Sequence, residues 1–493
     1  MNLVDAFHVV CQLHPQKIAL QSENTSLTYS EFHLNIHGLA EDLLAYGLNP
    51  GDTVGLWMEN SIEFIVSYFA IQHIGCVVVP LDPLSVPREV SFVLENAKSH
   101  LLLTTPRFHE VALALSVGKQ NLKVHTLLRK LRTGKPNEPA TLTADRNTLA
   151  CIIYTSGTTG HPKGAMLTHG NLLANAQAVR QVMNINHDTR MICILPLFHC
   201  FAAMVNMLSP LLIGGRVIPI KQFRPDTALK AIESYKITHL TGVPSMYLVM
   251  GRVDNPESYD LSSLLYLVSG GAGLPPKVAQ VFQEKFKKEI HEGYGLSEAS
   301  PVVSFNSVDH PNVPGSIGTP IPGVRVKIVD DQFNSLSLGE IGELAVKGPN
   351  VMIGYLGLPD ATREALRDGW LLTGDMAKMD ESGNIYIVDR KKEMILVRGH
   401  NVYPREVENI LYQHPAVLEA AVVPHKDERS GEVVRAVISV KEGYKITTHE
   451  IRDFCKGKLT SYKIPKIIDI IPALPKTNTG KIKKRALIDP VSV

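Results

Sequence analysis

Short apolar segments alternate with amphipathic helical patterns over the first 390 residues of the chain. The segments "VGLWM" (54–58) and "CVVVPL" (76–81) have the continuous apolar character of buried strands. Ahead of them, Phe32, Ile36, Leu39 and Leu43 recur at the spacing of one helical face. Because strands that alternate with helices are typical of α/β layers, we predict an α/β fold for this part of the chain.

Length and composition predict a globular protein with more than one domain. The chain has 493 residues, of which 44% are hydrophobic and 20% charged, enough to bury large cores. Its six cysteines lack the paired spacing of a zinc site, and the start of the chain lacks a secretory signal, so we expect a cytoplasmic protein with reduced thiols.

One segment has the length of a membrane span. Residues 191–213 contain no Lys, Arg, Asp or Glu, and 23 such residues are long enough to cross a bilayer. Pro196 and Pro210 interrupt the segment where a spanning helix would have to be continuous. We therefore predict a buried strand, loop and helix, and no transmembrane segment.

A second region begins near residue 390, where the charge balance changes. Residues 390–493 contain 20 Lys+Arg and 12 Asp+Glu, a net +8, whereas residues 1–389 contain 30 and 36, a net −6. Pro404 suits the first turn of a helix, and "VVRAVISV" and "KIIDII" have the character of strands. A second helical stripe contains Ile451, Phe454, Cys455 and Leu459. We predict a small α+β domain over 390–493 after a large domain over 1–389. Its basic charge suits a polyanion, and charge alone does not distinguish nucleic acid, an anionic membrane and a nucleotide.

The most distinctive segment is "YTSGTTGHPKG" (154–164), directly after the apolar run "LACII". Glycines, hydroxyls and a lysine together form phosphate cradles. The spacing excludes a Walker loop, which requires Gly-Lys-Ser/Thr. A flexible linker does not usually follow a buried strand so closely. Leu172, Ala176, Val179 and Met183 mark a helix beyond it, so we expect the loop to join a strand to a helix.

This loop resembles the phosphate loop of the adenylate-forming superfamily, which includes acyl-CoA and aryl-CoA synthetases, peptide-synthetase adenylation domains and beetle luciferase. Four later segments are similar to the family's signatures and follow in the family's order: "GYGLSE" (293–298), "TGD" (373–375), "DRKKEMILVRGHNVYPREVE" (389–408) and "LPKTNTGKIKKR" (474–485). The resemblance covers essentially the whole chain. It implies a large N-terminal core of stacked α/β subdomains with a small, mobile α+β C-terminal lid.

The resemblance also implies a reaction. A carboxylate attacks the α-phosphate of ATP, pyrophosphate leaves, and the acyl-adenylate passes its acyl group to the thiol of coenzyme A. Since both first reactants are anions, cations and oriented donors should stabilise the charge that develops at phosphorus. The implied cofactor is Mg²⁺, with Glu298 as its ligand. The implied phosphate-loop residues are Thr155, Ser156, Gly157, Thr158, Thr159 and Lys163.

Further roles follow from the resemblance. Tyr294 would stack on adenine, Asp375 and Arg390 would hold the ribose, and Ser297 would donate to the α-phosphate. Gly271, Ala272 and Gly295 would complete the nucleotide pocket, although "SGGAG" (269–273) departs from the commoner family form, which has proline near Gly273. Lys481 would reach in from the lid as a catalytic residue, the lid would rotate about Lys392, and Gly399 would contact the pantetheine arm.

The acid is the least determined part of the reaction. "LPLFHCFAAMVNML" has no carboxylate to pair with a substrate amine, which disfavours an amino acid. The resemblance implies that Phe198 and catalytic His199 lie by the substrate carboxylate, and that Ala203, Gly242 and Gly270 border the acyl pocket. We predict an ATP-dependent ligase for a medium- or long-chain fatty acid and CoA. An aryl-acid CoA ligase, a ligase loading an acyl carrier protein and a catalytically inactive scaffold remain alternatives. No nucleic-acid partner is expected.

Overall fold

The computed structural model describes residues 1–117, 122–127, 145–155, 162–427, 431–477 and 480–488. The predictions for Ser156, Gly157, Thr158 and Thr159 lie outside the described residues. The helices are α1 (Leu3–Leu13), α2 (Tyr29–Leu44), α3 (Ile62–His73), α4 (Pro87–Asn96), α5 (His109–Ser116), α6 (His169–Val182), α7 (Ser209–Leu211), α8 (Pro225–Tyr235), α9 (Pro244–Met250), α10 (Pro276–Phe286), α11 (Pro359–Ala365), α12 (Pro404–Tyr412) and α13 (Thr448–Cys455).

Strands alternate with these helices. They are β1 (Ile18–Ser22), β2 (Thr25–Thr28), β3 (Thr53–Trp57), β4 (Val77–Pro80), β5 (Leu101–Thr104), β6 (Lys123–Thr126), β7 (Leu149–Thr155), β8 (Lys163–Thr168), β9 (Arg190–Cys193), β10 (Arg216–Pro219), β11 (His239–Gly242), β12 (Tyr266–Ser269), β13 (Ile290–Gly295), β14 (Val302–Phe305), β15 (Thr319–Pro320), β16 (Arg325–Val329), β17 (Gly342–Lys347), β18 (Gly354–Tyr355), β19 (Leu366–Arg367), β20 (Trp370–Met379), β21 (Ile385–Arg390), β22 (Ile395–Val397), β23 (His400–Val402), β24 (Val417–Asp427), β25 (Gly431–Val440) and β26 (Ile467–Ile470).

Two large sheets organise the N-terminal part. One has nine strands in the order β15-β14-β13-β12-β11-β9-β10-β1-β2, and the other has seven in the order β18-β8-β7-β4-β3-β5-β6. Their central strands are parallel. One hydrophobic cluster joins the two sheets and includes Phe32 and Phe69 from α2 and α3. Because β11, β12 and β13 pair in parallel, their carboxyl ends lie together at one edge of the sheet, where ligands commonly bind in parallel sheets.

A smaller antiparallel sheet of β16, β17, β19, β20 and β21 leads into the C-terminal domain. That domain has a five-stranded sheet of its own and a separate core that includes Ile395, Val407, Leu411, Ile438 and Ile451. Both the α/β prediction and the small α+β second domain are confirmed. The predicted division after residue 389 falls one residue before the end of β21 and stays a prediction.

Several local predictions are confirmed. The helical stripes of α2 and α6 are buried, and Pro404 occupies the first turn of α12. The apolar segment 191–213 contains β9, a loop, a π-helix (Ala202–Leu208) and α7, as a buried strand, loop and helix. Within the described ranges, no helix has the length and apolar character that a membrane crossing requires.

Two expectations are wrong in detail. The loop after β7 does not lead directly to a helix, because the chain returns antiparallel to β7 as β8 before α6 begins. The short run "KGAMLT" is too brief to separate from the following helix by periodicity. The stripe that includes Leu459 also extends past its helix, since α13 ends at Cys455 and Leu459 packs from the next turn.

Candidate active site

A cavity of about 900 Å³ lies between the two large sheets and the C-terminal domain. Its wall includes the loops that follow β12 and β13, where parallel strands end. Thirteen of the predicted residues line it: Thr155, Lys163, Phe198, His199, Gly270, Gly271, Tyr294, Gly295, Ser297, Glu298, Asp375, Arg390 and Lys481. The predicted hinge residue Lys392 also borders it. Residues separated by up to hundreds of positions in sequence therefore meet at one site.

Asp375 is a buried carboxylate on the cavity wall, with a side chain 6% exposed. The Tyr294 hydroxyl donates a hydrogen bond to its Oδ2. Burial raises the pKa of the Asp375 carboxyl, and the Arg390 guanidinium, whose Nε lies 3.3 Å from Oδ1, opposes that shift. Strand pairing holds the arrangement, because Asp375 on β20 stands opposite Arg390 on β21. The carboxylate is thus fixed in direction and can accept hydrogen bonds from a polar ligand.

Tyr355 contacts both Glu298 and Lys163. The Tyr355 hydroxyl donates to Glu298 Oε1 over 2.8 Å, and Lys163 Nζ lies 5.2 Å from the centre of the same ring. Burial raises the pKa of the Tyr355 phenol, and Glu298 adds to the shift, so the phenol remains a donor at neutral pH. Tyr355 lies on β18, which pairs with β8 beside Lys163.

The same glutamate could hold a magnesium ion, which would supply positive charge beside bound phosphates. Mg²⁺ is usually held by one or two carboxylates together with substrate phosphates and water. The Glu298 side chain lines the cavity. Its Oε1 accepts a hydrogen bond from the Tyr355 hydroxyl. Among the described residues, no group of three or more His, Cys, Asp and Glu side chains could hold a metal by itself. A metal here would therefore depend on the phosphates for its remaining ligands.

His199 is a neutral histidine in the cavity wall. Burial, with a contribution from Lys481, lowers the pKa of its imidazole to about 3. Its Nδ1 accepts from the Phe201 backbone N–H over 3.2 Å, which leaves the proton on Nε2. Next to it, Cys200 Sγ lies 3.2 Å from Ser297 Oγ. Burial raises the pKa of the Cys200 thiol to about 11, so the thiol is protonated and able to donate to Ser297.

Lys481 enters the cavity from the C-terminal domain. Gly271 has φ +79°, and a Cβ there would lie 3.1 Å from Lys481 Cε, so glycine makes room for the lysine. The neighbouring Gly480 carbonyl accepts from Ser245 Oγ of the large domain over 3.1 Å. Burial lowers the pKa of the Lys481 ammonium, and Arg390 adds to that shift. A cation from the second domain thus stands in a site built mainly by the first.

Another part of the cavity wall is apolar. We call it the acyl end and define it by six wall residues from α6, the turn after it, the π-helix and β14: Val179, Val182, Met183, Val205, Val302 and Phe305. We call the charged region of Lys163, Glu298, Asp375, Arg390 and Lys481 the nucleotide end. Both ends are parts of the same cavity.

Four predicted residues lie off the described cavity wall. Ala203 and Gly242 are buried, and a Cβ on Gly242 would meet the Tyr247 ring at 3.2 Å. Ala272 is exposed. Gly399 is exposed and has φ +82°, and no atom of the described residues would lie within 4 Å of a Cβ added there. The roles predicted for these four residues stay predictions.

Sequence reasoning missed two residues of the cavity wall, Cys200 and Tyr355, and an ion pair outside it, Glu292 and Arg405. Cys200 stands beside His199 in sequence, which is the only signal that pointed to it. Tyr355 reaches Glu298 because β18 pairs with β8. Arg405 reaches Glu292 across the domain interface, with Nη2 3.6 Å from Oε1. Contacts between residues this far apart in sequence depend on the tertiary structure, and no local sequence pattern predicts them.

Comparison with known proteins agrees with this geometry. Residues 7–356 match the family model described as AMP-binding enzyme, and residues 406–481 match the AMP-binding enzyme C-terminal domain. The chain belongs to the AMP-binding enzyme family. It is an adenylate-forming acyl-CoA ligase, and the fold and family expected from its motifs are confirmed.

Three relatives illustrate the range of this family. The chain is 36% identical to a long-chain-fatty-acid–CoA ligase of Bacillus subtilis, covering 96% of this chain and 92% of the relative. It is 37% identical to a feruloyl-CoA synthase of Amycolatopsis sp, covering 96% of each chain. The crystal structure of ATP-bound MatB from Rhodopseudomonas palustris superposes with a TM-score of 0.93 at 30% identity, covering 99% of this chain and 98% of that one. The two ligases named for their acids share an activity class, and their acids differ.

Proposed function

We propose that the enzyme activates a medium- or long-chain aliphatic monocarboxylic acid with ATP and transfers the acyl group to the thiol of CoA. The observation that carries this choice is the acyl end, whose six defining side chains are all apolar. A second carboxylate or an amine on the substrate would be buried there without a partner, at a cost of several kcal/mol in order of magnitude. A cavity of about 900 Å³ is at the upper end of the usual range for ligand sites, which suits a nucleotide and an acyl chain together.

The nucleotide end supports the first half-reaction. We propose that Lys163 and the phosphate loop hold the β- and γ-phosphates, while Asp375 and Arg390 hold the ribose. We propose that the Ser297 hydroxyl donates to the α-phosphate. Cys200 Sγ lies 3.2 Å from its oxygen, and a protonated thiol can donate to that oxygen and leave the hydroxyl hydrogen for the phosphate. Magnesium held by Glu298 would neutralise phosphate charge when bound.

Lys481 and His199 act where the acid meets the nucleotide. An ammonium between two anions offsets their mutual repulsion, and its effect is larger in a buried site than in water. Neutral His199 keeps its proton on Nε2 and belongs to the cavity wall. We propose that this N–H donates to the substrate carboxylate and orients it without forming a competing ion pair. Phe198 and Gly270 also line the cavity.

The second half-reaction requires a different position of the C-terminal domain. In the proposed first step Lys481 stands beside the acyl carbonyl, where it would obstruct an incoming thiol. Gly399 is exposed and is not among the described residues of the cavity wall. We propose that the domain turns about Lys392 and brings Gly399 to the pantetheine arm. The variant Gly399→Leu should then lose thioester formation far more than adenylate formation, and equal losses of the two steps would contradict this movement.

The substrate is tested by a competition among free acids. Octanoic, hexadecanoic and cinnamic acids are incubated together with ATP, Mg²⁺ and CoA, and the acyl-CoA products are measured by mass spectrometry. We expect the aliphatic thioesters to dominate. Dominance of the cinnamoyl product would favour an aryl-acid ligase instead, in line with the equally similar feruloyl-CoA synthase. A parallel reaction with a phosphopantetheinyl carrier protein in place of CoA identifies the acceptor.

We also propose a cytoplasmic location for the enzyme. All six cysteines are buried free thiols, and free thiols are typical of proteins kept in a reducing compartment. Fractionation of cells that express the chain, followed by immunoblotting, tests this location. Recovery in the membrane pellet would contradict it.

A further inference from the structure

An ion pair crosses the interface between the two domains next to the active site. Arg405 lies in the first turn of α12, and its Nη2 is 3.6 Å from Oε1 of Glu292 on β13. Glu292 is only 4% exposed. Apart from Arg405, its Oε1 accepts from the Leu274 backbone N–H over 3.0 Å. Since removing one partner of a buried ion pair leaves an uncompensated charge, Glu292 favours the position in which Arg405 faces it.

The guanidinium of Arg405 is held from a second direction. Its Nη1 donates to the Ile387 carbonyl over 3.1 Å, and its backbone N–H donates to Asp389 Oδ2 over 2.7 Å. Both acceptors lie on β21, the last strand before Lys392. Arg405 is thus oriented by the strand that leads into the proposed hinge, and its contact with Glu292 has a defined geometry rather than that of a freely moving surface pair.

Gly273 makes this contact possible. A Cβ at this position would meet Nη2, Cζ and Nε of Arg405 closer than any real side-chain contact. The absence of a side chain at Gly273 therefore matches the presence of the guanidinium that occupies the space.

The same short segment receives Lys481. Gly271 stands against Lys481 Cε, and two residues later Gly273 stands against Arg405. Both cations come from the C-terminal domain. A displacement of Arg405 from its seat would move the domain whose Lys481 must enter the cavity, whereas Arg405 itself is not among the described residues that border the cavity.

We propose that Arg405 is a positioning residue for adenylate formation, and that its ion pair with Glu292, admitted by Gly273, seats the C-terminal domain so that Lys481 enters the cavity. This proposal rests on the proposed role of Lys481 in the first half-reaction. In the second half-reaction the domain leaves this position, so the pair must break while Glu292 keeps the Leu274 N–H. The pair therefore favours the first step at the expense of the second.

Two half-reaction assays test this division. Acid-dependent pyrophosphate exchange measures adenylate formation. In Arg405→Gln we expect its rate to fall roughly tenfold. Thioester formation from a supplied acyl-adenylate should be unchanged or faster. Arg405→Lys should recover part of the loss because it keeps the charge. Glu292→Gln should resemble Arg405→Gln, and the double variant should lose little more than either single variant, since both remove one interaction.

The position of the domain is measured separately from activity. Spin labels at Glu284→Cys on α10 and Glu442→Cys on the C-terminal domain report the interdomain distance, and both native side chains are exposed. The native cysteines are all buried, which restricts labelling to the two new sites. We expect the substrate-free distance distribution to move away from the wild-type maximum in Arg405→Gln and in Gly273→Ala, which displaces the guanidinium while keeping Arg405.

A matched control removes an ion pair that lies within the C-terminal domain. Lys466 pairs with Asp427 over 2.6 Å, so Lys466→Gln should leave both the distance distribution and the half-reaction ratio unchanged. An unchanged distance distribution in Arg405→Gln and Gly273→Ala, or an equal loss of both half-reactions, would overturn the proposal. If the distances move but Lys481→Ala exchanges pyrophosphate normally, the positioning of the domain stands and the proposed role of Lys481 fails.

Discussion

The two ends of the cavity are built in opposite ways. The nucleotide end combines charged side chains from β8, β20, β21 and the C-terminal domain, whereas the acyl end is lined by apolar side chains from α6, the π-helix and β14 of the large domain. Charge at the first end has to be placed at particular atoms, because phosphoryl chemistry is accelerated by fixed cations and donors. The second end has only to offer volume, which many apolar side chains supply. We infer that the reaction depends on where charges are placed, whereas the choice of acid depends on the space available.

The largest effect is expected at the point where the second domain supplies its charge. Lys481→Ala removes a donor that we place between two anions, and the loss of one such donor costs on the order of 3 kcal/mol, about a hundredfold or more in rate. Acid-dependent pyrophosphate exchange measures this step alone. Lys466→Ala, which alters a lysine of the same domain outside the cavity, should exchange normally. Unchanged exchange in Lys481→Ala would show that adenylate formation does not depend on a cation that the second domain places at the nucleotide end.

The pH dependence of the first step should follow the same lysine. Burial lowers the pKa of Lys481, so the free enzyme loses this charge at a lower pH than an ordinary lysine would. The kcat/KM of adenylate formation reports the free enzyme and should fall on the alkaline side, about tenfold per pH unit beyond the lowered pKa. In Lys481→Arg the alkaline limb should move to higher pH, because a guanidinium remains charged there. An alkaline limb that stays in place would assign the titration to another group.

The contrast between the two ends also explains what the sequence could reveal. Lys163, Glu298, Asp375 and Lys481 each lie in a short motif, and the structure brings all four to one cavity. Ala203 and Gly242 were expected at the acyl pocket and are not among the described residues of the cavity wall, because whether a position in a π-helix or at a strand end borders a cavity depends on packing.

Local patterns fail where pairing is tertiary. The strand β8 was missed because its six residues gave no separate period, and this strand is what brings β18 and Tyr355 beside Lys163. Arg405 and Glu292 meet only when the two domains are in contact. The fold class follows from repeated apolar patterns, whereas such contacts follow from the assembled structure.

A smaller and more selective effect is expected at the acyl end. Val205 is fully buried on the π-helix and borders the cavity. Val205→Phe adds bulk there and takes space from a long acyl chain. A misfit of this size in an apolar pocket is worth about 1–3 kcal/mol of substrate discrimination, so we expect kcat/KM for hexadecanoic acid to fall roughly tenfold. Octanoic acid should be affected less, and the KM for ATP should not change. Val205→Ile provides a smaller step in the same series. Equal changes for both acids and for ATP would show that the two ends are not separable.

The smallest effect concerns the contact that joins Glu298 to Lys163. Tyr355→Phe removes the hydroxyl that donates to Glu298 but keeps the ring beneath Lys163 Nζ. Loss of one hydrogen bond at a partly exposed site costs about 1 kcal/mol, so adenylate formation should fall roughly fivefold. Because Glu298 is then oriented less firmly, the Mg²⁺ concentration for half-maximal rate should rise, and calorimetry should show weaker binding of the Mg²⁺ complex of a non-hydrolysable ATP analogue. Tyr355→Leu, which removes the ring as well, should lose more than Tyr355→Phe. If the two variants are equally impaired, the hydroxyl contact alone matters, and Lys163 is positioned without the aromatic ring.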